Sequence, residues 1–163
     1  MYYINSFLLY SLLGFIMEST LYKNTKLKPS GVLHGPVTLV YGVGGIVLIL
    51  VNKYIIDKIR LNKFLKIIIS FLIYTITFTL VELICGYLCN LIFGVDMWNY
   101  TSKKYNIGKY ICIELMPIWG LLGVIITYIL KPFLDKVIKL IPKTATYFFL
   151  LILAVDIIIT IIT

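Results

Sequence analysis

Four clusters of lysine and arginine cut this chain into five apolar stretches, each about as long as a helix that crosses a bilayer. A spanning helix needs roughly 20 apolar residues, because lipid offers no water to unpaired backbone groups. Five such stretches with short connections take up nearly all of the 163 residues. The expected fold is therefore all-α, a polytopic membrane helix bundle of about five transmembrane helices, folded as a single domain over residues 1–163. Composition agrees, since 61% of the residues are hydrophobic, only 13% are charged and the mean hydropathy is +1.00, far from the balance of a soluble domain. A net charge of +8 would suggest nucleic acid in a soluble protein. Here the basic residues flank apolar stretches and suit anionic lipid head groups, so the lipid bilayer is the expected partner and nucleic acid is not. No room is expected for a soluble catalytic or nucleotide-binding domain.

The first stretch, Tyr2–Tyr22, has no Lys or Arg before it, so it reads as a retained span rather than a cleaved signal peptide. Lys23, Lys26 and Lys28 then mark water. Residues 29–45 gather Pro29, Gly31, Gly35, Pro36, Gly42, Gly44 and Gly45 into a Gly/Pro-rich loop that enters helix two. Residues 64–93 are apolar throughout and longer than a ~30 Å hydrocarbon core requires, so this helix is expected to tilt, to run along the interface or to break, with Gly86 one place for it. Residues 94–109 form a polar and aromatic connection, the fourth span is placed at 110–133 and the fifth at 145–163. Nine of the fifteen basic residues fall in the second and fourth loops, which places the N-terminus in the cytoplasm. Two alanines and a surplus of Ile, Lys and Asn point to an AT-rich bacterial genome, hence to a bacterial plasma membrane.

Of the seven acids, Glu18, Glu82, Glu114 and Asp156 lie within or at the ends of four different apolar stretches. An acid at mid-membrane costs several kcal/mol, about 2.5–3.5 for Asp, and normally faces a bundle interior, a cavity or a partner. Glu18 and Glu114 are close enough to span ends to be either interfacial carboxylates or site residues. Glu82 and Asp156 are deeper and are the first candidates for binding a cation, a proton or a polar substrate, with a close Glu82–Asp156 pair expected beside the backbone of residues 34–44. Glu82, Cys85, Gly86 and Cys89 recur at i, i+3, i+4 and i+7, one helix face along which a neighbour can approach closely. The three cysteines, Cys112 included, are read as packing residues. His34 is the only histidine, which excludes a two-histidine metal site within the chain; neither zinc nor iron catalysis nor a cofactor is expected, while an all-carboxylate cation site stays open. Tyr41-Gly42-Val43-Gly44 lacks the Lys-Ser/Thr ending of a phosphate loop, so no ATPase is encoded by these residues. Trp98, Asn99 and Tyr100 read either as an aromatic belt or as a lid over a membrane pocket.

The run Ser30-Gly31-Val32-Leu33-His34-Gly35-Pro36, then Tyr41-Gly42-Val43-Gly44, Glu82 with Gly86, Trp98-Asn99-Tyr100, Asn106 with Gly108, Trp119-Gly120 and Asp156 resembles, in order, the pattern of the bacterial ABC-transporter type IV, or CmpB-like permease, family. Glu18 looks like the acid that closes that family's first span. Three positions depart from the pattern: Ser30 stands where Arg is usual, Leu39 where Pro is usual and Asn99 where Asp is usual. An Arg–Asp pair between the first and last of these is impossible here. The resemblance implies a transport component with a separate ATPase subunit, and five spans are few for a complete pathway, which implies a homodimer. Its substrate would be small and polar or cationic, held by Glu82 and Asp156 together with Glu18, Glu114, His34, Tyr41, Trp98, Asn99, Tyr100 and Asn106. Two other readings stand beside it: an intramembrane enzyme acting on a lipid-linked group with Glu82 or Glu114 as general base, and a structural or regulatory membrane subunit.

Overall fold

The computed structural model describes residues 1–23 and 31–162; Lys26, Lys28, Pro29 and Ser30 lie outside them. It contains five helices long and apolar enough to cross a membrane. They comprise α1 (Tyr2–Tyr22), α2 (Leu39–Tyr54) with a 3-10 turn after it (Ile56–Lys58), α3 (Lys63–Phe93), a fourth span, and α6 (Lys143–Ile162). The fourth span is composite: α4 (Met116–Ile125) passes through a π turn (Ile126–Leu130) into α5 (Lys131–Leu140). A two-stranded antiparallel hairpin, β1 (Asn106–Ile107) with β2 (Ile111–Cys112), lies in the third connection.

α3 begins where the Asn62 side chain accepts a hydrogen bond from Leu65 N at 2.9 Å and ends on Gly94, whose φ of 68° is left-handed. It does not break at Gly86. Its 31 residues span about 46 Å at ~1.5 Å each, so its ends reach past the hydrocarbon or the helix tilts. The fourth span starts at Met116, not at 110, because residues 111–112 pair as a strand and Pro117 occupies the first helical turn, where its missing N–H is no loss. It also continues beyond 133 to Leu140, because Leu134 and Ile138 recur at i and i+4 and bury against Tyr10 of α1 and Ile49 of α2. Lys136 and Lys139 stay exposed on the other side of this amphipathic extension.

Glycines set the helix pairings. Gly14 meets the ring of Tyr41, Gly42 meets Ser11 and Phe7, and Gly45 meets Tyr10, so α1 and α2 pack antiparallel with side chains of one helix seated on the glycines of the other. Gly120 and Gly123 of α4 do the same against Phe71, Tyr74, Thr75 and Phe78 of α3. Tyr74, fully buried, joins the two pairs through Leu48 and Ile56. α6 is peripheral, with Thr146 its one fully buried residue, and two polar clips hold it. At one end Thr146 Oγ1 donates to Asn5 Oδ1 at 2.6 Å, and at the other Asp156 meets the loop before α2.

Candidate functional site

These antiparallel pairings put the first and third connections at one end of the bundle, and that end holds Glu18, His34, Tyr41, Glu82, the 98–106 region and Asp156. The sequence calls for a shared carboxylate pair there. The structure instead gives each acid its own partners.

Glu82, on the buried face of α3, is 6% exposed. Its Oε1 accepts from Tyr100 OH at 2.8 Å and its Oε2 from Trp119 Nε1 at 3.0 Å. No basic side chain pairs with it among the described residues. Cys85, Gly86 and Cys89 continue the same buried face as expected, but what Gly86 admits is the ring of Tyr110 from the connection, not another helix. All three cysteines are buried and free.

Glu18 is 5% exposed, and its Oε1 accepts from Tyr41 OH at 2.9 Å, so it faces the interior and not the head groups. Asp156 accepts from two consecutive backbone groups, His34 N at 3.0 Å and Gly35 N at 2.9 Å, which fastens α6 to the loop. The loop must come this close: a Cβ on Gly35 would sit 2.9 Å from Asp156 Oδ2. The His34 ring lies 3.1 Å from Thr160 Oγ1 and 3.4 Å from Asp156 Oδ1, with 62% of the side chain exposed. Glu114 occupies the exposed turn before α4, outside the span expected to contain it.

The connection over residues 94–115 is folded as a cover. Gly108, with φ 64°, makes the tight turn between the strands, and Asn106 Nδ2 donates across it to Gly108 O at 2.8 Å. Asn99 Oδ1 closes a local turn by accepting from Thr101 N and Oγ1. Trp98 Nε1 donates to Tyr110 O at 3.3 Å, and Tyr100 N donates to Lys109 O at 2.8 Å, which aims the Tyr100 hydroxyl down at Glu82. Asp96 ties the cover to α3: it pairs with Lys109 and accepts from Tyr110 OH at 2.7 Å and Asn90 Nδ2 at 3.0 Å. The hydrogen bond from Lys109, followed by that from Tyr110, holds the Asp96 carboxyl below its usual range. The same contacts with Asp96 push the Lys109 ammonium and the Tyr110 hydroxyl upward. Trp98, Asn99 and Tyr100 are thus parts of this folded connection, with Tyr100 reaching Glu82. Trp119, Tyr110 and the Asp96–Lys109 pair complete the arrangement and were not among the expected site residues, although Trp119-Gly120 stood in the family pattern.

Five apolar helices around inward-facing acids define a multi-pass membrane protein. The chain matches the family described as Putative ABC-transporter type IV over residues 5–163, and it belongs to that family. No curated protein and no solved structure matches it significantly.

Proposed function

We propose that the chain is the membrane-embedded subunit of a bacterial transporter and that Glu82 is its ligand-binding carboxylate, taking a small cation or a polar substrate with a cationic group. The observation that carries this reading is a buried acid held by two neutral donors, with no basic side chain paired to it among the described residues. A buried carboxylate in that state is stable only as the neutral acid or with a positive partner, so the position favours exchange of a proton for a cation. Tyr100 lies over it on a folded connection, and opening that connection would expose the acid to the aqueous side. Energy would come from a separate ATPase subunit, a homodimer would complete the pathway, and the N-terminus would be cytoplasmic, where most basic loop residues then lie. The enzyme reading keeps Glu82 as a candidate base and loses Glu114, which is exposed in the turn before α4.

The test is a thermal-stability screen of the purified chain against small amines, amino acids and monovalent and divalent cations. At least one class should stabilise the wild type and lose its effect in Glu82→Gln. A wild type indifferent to every class, or a variant that responds equally, overturns the reading.

A further inference from the structure

At the opposite end of the bundle lies a second recess, independent of Glu82. A cleft of about 350 Å³ opens between the end of α2, the start of α3 and the π turn, within the size range of small-ligand sites (roughly 300–1,000 Å³). The π turn shapes it by carrying two neighbouring residues to the same interior: Thr127 bonds Asn52 of α2 at 3.1 Å and Tyr74 of α3 at 2.8 Å, and Tyr128 bonds Ser70 of α3 at 2.9 Å. Such turns recur at functional sites. The floor is therefore a fixed polar network whose own groups are already satisfied.

The rim carries two charges of each sign. Lys131 and Asp135 satisfy each other at 2.7 Å, and Asp135 also accepts from Tyr2 OH at 2.6 Å. The other two, Lys66 and Asp57, line the cleft with no hydrogen-bond or ion-pair partner for either side chain among the described residues. Lys66 is partly buried along the cleft and has no counter-charge paired to it among the described residues. A simple anion would satisfy Lys66 but face Asp57 and Asp135, and a simple cation would meet the reverse difficulty.

We propose that this cleft binds a zwitterion bearing an anionic group and a primary ammonium, the phosphoethanolamine type, with Lys66 holding the anion and Asp57 the ammonium. The cleft sits at the end of the bundle that carries the second and fourth basic loops, where a membrane lipid can present that chemistry as a head group. A soluble zwitterion of the same kind is the other source.

The experiment measures binding to the purified full-length chain in detergent by native mass spectrometry, using phosphatidylethanolamine, phosphatidylglycerol and free phosphoethanolamine as probes. Phosphatidylethanolamine should be retained about tenfold better than phosphatidylglycerol; Asp57→Ala should erase that preference, and Lys66→Ala should lower retention of both lipids, as loss of a charge-assisted contact does. Lys66→Arg should keep both the retention and the preference, and so should Lys136→Ala on the exposed side of α5. Melting curves of each variant separate lost binding from lost folding. Free phosphoethanolamine competing at similar concentration identifies a soluble ligand, and failure to compete identifies the lipid. Equal retention of the two lipids, no retention of either together with no binding of free phosphoethanolamine, or an Asp57→Ala variant that keeps the preference overturns the proposal.

Discussion

Replacing Glu82 by Gln removes a charge while keeping both hydrogen bonds, because the amide oxygen can accept from Trp119 Nε1 and the amide N–H can donate to the Tyr100 hydroxyl, which accepts as readily as it donates. Glu82→Gln should therefore melt within a few degrees of the wild type. Glu82→Leu leaves the Trp119 N–H and the Tyr100 hydroxyl without an acceptor, each worth about 1–3 kcal/mol when buried, and should melt clearly lower. Equal melting of Gln and Leu variants would mean that these two bonds are not formed. At this scale the sequence singled out four acids in apolar runs but left Glu18 and Glu114 open between interface and interior, of which Glu18 is buried and Glu114 exposed, and it was silent about their partners. Glu82, Glu18 and Asp156 stand out because an acid in an apolar run is rare. That Glu82 meets Trp119 while Asp156 meets the backbone of His34 and Gly35 depends on which helices are neighbours, and no local pattern encodes that.

At the scale of the element, two features of the fold make separate predictions. Gly120 lets α4 lie against α3 so closely that a Cβ there would sit 2.9 Å from Phe71 O and collide with Thr75. Gly120→Leu should lower the folded yield in detergent by forcing the two helices apart, a penalty beyond the ~1–3 kcal/mol of ordinary overpacking. Gly35→Leu should do likewise by displacing the Asp156 clip, whereas Gly44, which has open space beside it, should tolerate Ala. A Gly120→Leu variant that purifies and melts like wild type contradicts the pairing. The connection over residues 94–115 adds a pH dependence. Because Lys109 and Tyr110 depress the pKa of Asp96 in the folded state, its contribution is fully present above the unfolded value near ~3.9 and is lost as pH falls through the lower folded value. Proteolysis of residues 94–115 should thus be slow at neutral pH and accelerate only in that acid window, and Asp96→Asn should be cut quickly at every pH. The element boundaries misread from hydropathy have local causes. Tyr110 to Ile113 are apolar enough to pass for the first turn of a span, yet Pro117 already marked the later start. Past Phe133 the lysines hide a helix whose buried side is carried only by Leu134 and Ile138.

For the whole molecule, the all-α bundle of five spans was legible because its determinants are additive: apolar length, basic punctuation and glycine placement. Five spans put the termini on opposite faces. Cysteines engineered beside residues 2 and 163 should therefore label from opposite sides of sealed vesicles, and labelling of both from one side would contradict the topology. The arrangement of the spans was not legible in the same way. Two tight glycine-lined pairs share one buried tyrosine, with α6 clipped on at Thr146 and Asp156, and Glu82 and Asp156 take different hydrogen-bond partners. The proposed site is therefore one acid, Glu82, beneath the folded connection that carries Tyr100. The most direct measurement is an experimental structure of the chain bound to the ligand class that stabilises it in the screen above. Ligand density is expected against the Glu82 carboxylate, with Tyr100 or Trp119 moved off it or turned to the ligand. Density elsewhere, with Glu82 still bonded to both Tyr100 and Trp119, would contradict it.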